Sequence, residues 1–115
     1  MTPEEVLSQP PRLLRQEQRE FYFEHGYLLV EALIARDWIE RLNAVAAAFV
    51  EQSRAVARSD EIFDLAPNHA PERPRLRRLK RPDSQHPTFW EFASGPIADL
   101  AADLVGPDVV FHHVC

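Results

Sequence analysis

The chain has 115 residues and a formal net charge of −5, with 45% apolar and 27% charged residues. These fractions are ordinary for a single globular domain, and the negative balance gives no electrostatic reason to expect nucleic acid or an anionic membrane as the main partner. No run reaches the ~20 apolar residues that span a bilayer, the N-terminus MTPEEVLSQPPRLL lacks a secretory h-region, and the lone cysteine, Cys115, cannot form an internal disulfide, so a cytoplasmic location is expected.

Three glycines stand against ten prolines, which predicts short elements joined by rigid turns. Residues 1–14, punctuated by Pro3, Pro10 and Pro11, read as a flexible N-terminal arm with at most a short turn, and residues 15–115 as the structured part. The first helix is predicted over Arg15–His25. Gly26 sits at the C′ position, where a residue without Cβ takes φ > 0 at no cost. Tyr27–Val30, four apolar residues behind that stop, read as a short buried strand.

The longest helix is predicted over Arg36–Arg58. Ile39, Leu42, Ala46 and Phe49 recur on one stripe at helical spacing, and Asp37 and Glu40 near the start with Arg54 and Arg58 near the end complement the helix dipole. Residues 59–75 lose periodicity around Pro67, Pro71 and Pro74. Leu76–Lys80 read as a short strand whose apolar positions, Leu76 and Leu79, lie three apart and break strict alternation.

Pro87 fits the first turn of a helix over His86–Ser94. Gly95-Pro96 ends that helix and opens another through Val105, with a stripe of Ile97, Leu100, Ala101 and Leu104. Beyond Gly106-Pro107, Val109, Val110, Phe111 and Val114 make Asp108–Val114 a predicted strand. An apolar strand with no following partner invites pairing, so the chain is expected to be incomplete at its C-terminus and open to self-association there. The predicted core anchors are Tyr27, Leu29, Ile39, Leu42, Phe49, Phe89, Leu100, Leu104 and Phe111.

Chemistry-bearing motifs are few. No pair among the five histidines has H-x-x-x-H or H-x-D spacing, and no G-x-S-x-G, G-x-G-x-x-G or P-loop occurs. His112 and His113 are adjacent on a predicted strand and so point to opposite faces. One reading makes one of them a core histidine and the other a solvated one, and the alternative has one lining a pocket. Cys115 reads as a small packing residue; as a nucleophile it would need a base from elsewhere. Arg73, Arg75, Arg77, Arg78, Lys80 and Arg81 put six cations within nine residues. Arg75, Arg77 and Arg78 are candidates for gripping an anion. The alternative is a solvated strand paired with the acids at 60, 61, 64 and 72. Phe89, Trp90 and Phe92 read as core, or as the wall of a ligand cleft.

Three stretches in this order resemble phytanoyl-CoA dioxygenase-like proteins: EQREFYFEHGYLLVEALIARDWIERLNA, PERPRLRRLKRPDSQHPTFWEFA and IADLAADLVGPDVVFHHV. The resemblance implies an α+β, mostly helical fragment, comprising the N-terminal helices and first strands of a double-stranded β-helix, a jelly roll. It implies Fe(II) and 2-oxoglutarate for the full-length protein, held by an H-x-D…H triad and an arginine, and hydroxylation of an unactivated C–H bond in a small-molecule substrate. The H-x-D motif is absent here, so no catalytic residue, iron ligand or cofactor is assigned to this chain. His112 and His113 match the family's strand histidines and remain the cofactor-side candidates. The rival reading is a stand-alone binding module that uses residues 73–81 on an anionic partner.

Overall fold

The computed structural model describes residues 1–114 and is an α+β chain of six α-helices and one two-stranded antiparallel sheet among those residues. Contacts divide it into two compact units, one of residues 1–34 and 92–112, the other of residues 35–91 with 113–114. Each is described by itself.

In the first unit, α1 (Pro3–Ser8) opens on a complete capping box, in which Thr2 Oγ1 accepts the Glu5 N–H at 3.2 Å and Glu5 returns a carboxylate to the Thr2 N–H at 3.0 Å. Residues 1–14, expected as a loose arm, thus carry a helix, and Val6 and Leu14 from it are buried. α2 (Gln16–His25) ends as predicted, with Gly26 left-handed at φ 79° and its N–H on the Tyr22 carbonyl. Tyr27–Val30 is not the buried strand expected: it is irregular, with Tyr27 and Leu29 largely exposed. β-favouring side chains make a strand only where a neighbouring ladder takes their backbone groups, and among the described residues none reaches this segment.

Gly95-Pro96 does not break the chain as predicted. Residues Ala93–Ile97 form a π-helical turn that leads directly into α6 (Ala98–Val105). Widening the turn is a way to keep a helix going past a proline that has no N–H to give. Gly106 then stops α6 at φ 105°. Asp108–Val114, predicted as a strand, has no strand structure, and Phe111 is exposed. Its composition favours pairing but does not supply a partner, and a strand is defined by the partner's hydrogen bonds.

Two polar residues hold this unit together. Arg19 is fully buried. Its Nε donates to the Asp103 carbonyl at 2.8 Å, one terminal nitrogen reaches the Gln9 carbonyl and Gln16 Oε1 at 2.9 Å each, and the other reaches the Val6 carbonyl. The Asp103 carboxylate accepts three consecutive backbone N–H groups, those of Arg12, Leu13 and Leu14, at 2.7, 2.8 and 2.8 Å. Burial pushes the Asp103 pKa up, but the N–H groups of Leu14, Arg12 and Leu13 and the Arg19 charge outweigh it and hold the carboxyl below its ordinary 3.8. α1, α2, α6 and the 12–14 turn are therefore joined through hydrogen bonds that are expensive to leave unmade.

The second unit contains α3 (Arg36–Ser53), β1 (Phe63–Leu65), β2 (Leu76–Leu79), α4 (Pro82–Gln85) and α5 (Pro87–Phe92), whose last residue already belongs to the first unit. Phe49, Phe63 and Leu65 form its buried core, with Val45, Val56, Ile62, Leu76, Leu79 and Phe89 against them. Phe49 stacks edge-on to Phe63 and tilted to Phe89, both at 6.4 Å between ring centres. Of the predicted α3 stripe, Phe49 is buried, Leu42 is half-buried, and Ile39 is 48% exposed.

Removing the Asp103 carboxylate orphans three N–H groups at once. Asp103→Ala is expected to lower the unfolding free energy by about 3–5 kcal/mol, on the scale of breaking a buried charged contact, as read from urea denaturation. Because the folded-state pKa is depressed, the carboxylate's contribution is complete above about 3.8 and disappears as pH falls below that value. Asp103→Asn is therefore expected to be less stable at neutral pH and to lose less stability on acidification than the parent.

Candidate functional site

The second unit is where the sequence placed its charged run, and the geometry follows from one extra residue. β1 and β2 run antiparallel in the register Phe63↔Leu79, Asp64↔Arg78 and Leu65↔Leu76. Between the last two pairs β2 spends two steps for one of β1, so Arg77 is a β-bulge. The bulge reconciles the three-residue spacing of Leu76 and Leu79 with a half-buried strand: both reach the core, while Arg77 and Arg78 are exposed.

The cations of the run have different fates. Arg78 pairs across the ladder with Asp64 at 3.0 Å, and Lys80 Nζ donates to the Asp60 carbonyl at 2.7 Å. Asp60 also accepts the N–H groups of Phe63 and Ile62, which hold its pKa below the ordinary value. The alternative reading, a solvated strand paired with neighbouring acids, thus describes Arg78. Arg75 and Arg77 are exposed, with no ion pair to an acid among the described residues. Arg81 is held at φ 45°, turning the chain from β2 into α4.

The loop before β2 is fixed by His69, a residue the sequence reading left without a role. Its Nδ1 accepts the Arg75 N–H at 2.9 Å, so the ring proton lies on Nε2, which faces the carbonyls of Ser53 and Val56 at 2.9 and 3.1 Å. α3 stops at Ser53 and not at Arg58 as expected, and there the imidazole caps the Ser53 carbonyl and, just beyond the helix, that of Val56. The signal was a histidine flanked by prolines at a distance from any helix, which spacing rules do not connect to a helix end.

Beside β2 lies a groove of about 370 Å³ whose floor is apolar, from Ala46, Phe49, Val50 and Phe89, with Arg77 and Arg78 on its wall. Phe89 thus serves both core and groove. On the far side of α5, Arg41 donates to Thr88 Oγ1 at 3.1 Å, pairs with Glu91 and lies over the Trp38 ring. In the first unit a shallower concavity of about 470 Å³ is bounded by Phe21, Tyr27 and Leu29.

His112 and His113 lie in the irregular, exposed segment after α6, and the division into units falls between them. Cys115 lies outside the described residues. A facial iron triad requires three converging donors. Among the described residues no group of three or more His, Cys, Asp or Glu side chains is placed to hold a metal ion, and no iron ligand is assigned among them. Nor, among them, is any helix long and apolar enough to cross a membrane.

Residues 22–115 match the family described as Phytanoyl-CoA dioxygenase (PhyH). The chain belongs to that family. The match begins within α2 and takes in both the basic strand and the Gly106-Pro107 turn, so the phytanoyl-CoA dioxygenase resemblance read from three separate stretches extends over nearly the whole chain. No curated protein and no solved structure gives a significant match.

His69→Ala removes the acceptor of the Arg75 N–H and the donor shared by the Ser53 and Val56 carbonyls. It is expected to cost about 1–3 kcal/mol in urea unfolding. Arg78→Ala, which removes a solvent-facing pair, is expected to cost less than about 1 kcal/mol.

Proposed function

We propose that this chain forms the N-terminal helical and edge-strand part of an Fe(II)/2-oxoglutarate-dependent hydroxylase of the phytanoyl-CoA dioxygenase type. The observation that carries the reading is the family match over residues 22–115. In this reading residues 15–115 are the N-terminal part of the dioxygenase-like domain, and the fold of the whole is a jelly roll. Fe(II) and 2-oxoglutarate, as the family implies, supply the oxidising chemistry. The small-molecule substrate is hydroxylated at a site whose metal donors this chain does not furnish.

The residues described here have supporting roles in that scheme. Phe49, Phe63, Leu65 and Phe89 give a packed apolar core, and His69 fixes where β2 begins. Of the three anion-gripping candidates, Arg75 and Arg77 are exposed and without an ion pair among the described residues, and His112 and His113 are the cofactor-side candidates. Rigid placement of this kind matters because a misplacement of about 1 Å at a reacting centre costs on the order of 100-fold in rate.

The test is succinate release. With Fe(II) and 2-oxoglutarate, the protein expressed from its whole coding locus is expected to release succinate, and the 115-residue chain by itself is not. Iron-dependent succinate release by the chain alone, at a rate matching the locus product, contradicts the proposal.

A further inference from the structure

Two histidines of the second unit accept a backbone N–H with the same ring nitrogen. His69 Nδ1 takes the Arg75 N–H at 2.9 Å, and His86 Nδ1 takes the Thr88 N–H at 3.2 Å. A neutral imidazole has one nitrogen that can accept, and a protonated one has none. Both contacts therefore exist only while the rings are uncharged. Both residues are half-buried, and every partner lies within the same unit. The two contacts bracket the basic run, since Arg73 to Arg81 lie between them. His69 ties the residue before β2 to the end of α3, its Nε2 facing the Ser53 and Val56 carbonyls. His86 accepts from the second residue of α5, the contact that an N-cap side chain makes.

The surroundings govern what a proton does at each ring. At His86 two effects agree. An imidazolium loses the Thr88 N–H, and it stands at the positive end of α5, where a cation is disfavoured. The charges around it are Asp83 on α4 and the Arg41–Glu91 pair of α3 and α5. At His69 two effects oppose. A cation is favoured beside the carbonyl at the end of α3, but its Nδ1–H faces the Arg75 N–H, donor against donor. The charges around this ring are Arg54, which donates to the Pro71 carbonyl and pairs with Glu51, and the loop's own Glu72, Arg73 and Arg75. Among the described residues no acid is ion-paired with either imidazole.

We propose that His69 and His86 form an acid-sensitive clasp on the basic segment: neutral, they hold it at both ends, and protonated, they release the Arg75 and Thr88 N–H groups and loosen it. Histidine is the side chain whose charge changes between about pH 5 and 8. The clasp is closed above that range and opens as pH falls through it. It rests on the second unit's geometry and stands independently of the dioxygenase reading.

The experiment follows the isotope-labelled 115-residue chain by NMR between about pH 7.5 and 5. Imidazole nitrogen shifts are expected to show Nδ1 of both rings unprotonated at the upper end and protonated at the lower. Amide exchange, corrected for its intrinsic pH dependence, is expected to lose at least tenfold protection at Arg75 and Thr88, and more at Thr88, where both effects agree. Phe63 N–H, held by the Asp60 carboxylate, is the internal control and is expected to change less than about twofold. Asparagine places a non-titrating oxygen where Nδ1 stood, so the double variant His69→Asn, His86→Asn is expected to keep both amides protected across the range. The nitrogen shifts need no variant and stand even where the double variant does not fold. The proposal is overturned if Nδ1 carries a proton at the upper pH, if the rings do not protonate, if Arg75 and Thr88 keep their protection, if Phe63 loses as much, or if the folded double variant responds as the parent does.

Discussion

The bulge at Arg77 is the constraint on which the second unit turns. A strand with strict alternation cannot place residues three apart on one face, so without the bulge either Leu76 or Leu79 would leave the core. With it, both leucines stay under Phe49 and Phe63, and the extra residue is a cation projected from the strand. The groove wall and the Asp64–Arg78 pair follow from that single insertion in the ladder. The basic run is thus less a uniform charged surface than a set of positions sorted by register.

The first unit solves a different problem. Few apolar side chains are fully buried in it, Val6, Leu14 and Ala102 among the described residues. Burial of so little apolar surface, at about 25 cal/mol per Å², leaves ordering of three helices and a turn to be helped by directed contacts. Arg19 and Asp103 provide these, with four donors and three acceptor contacts between them. Arginine suits the role because its planar fork satisfies several carbonyls at once while its charge is kept in place.

Much of this was legible in the residues. Gly26 marked the end of α2, Pro87 the start of α5, and Leu76–Lys80 gave β2 to within a residue. What composition could not supply was partnership. Tyr27–Val30 and Asp108–Val114 have strand-forming side chains and no ladder, whereas β1 has three residues in a proline-rich stretch and does pair. The buried Arg19 was invisible because three of its four acceptors are backbone carbonyls, which carry no residue signature. The candidate site was half legible: Arg75, Arg77 and Arg78 were named together, but only the register shows that Arg78 is already paired.

The two edges of the sheet differ among the described residues: the Phe63 and Leu65 N–H groups on the β1 side are hydrogen-bonded, and those of Leu76 and Leu79 on the β2 side are not. Native-state hydrogen exchange on the 115-residue chain reads this directly, because it reports each amide's own protection. The N–H groups of Phe63 and Leu65, bonded to Asp60 and Ser59, are expected to exchange slowly, and those of Leu76 and Leu79 at least tenfold faster. Equal protection on the two edges, or slower exchange at Leu79 than at Phe63, contradicts the account.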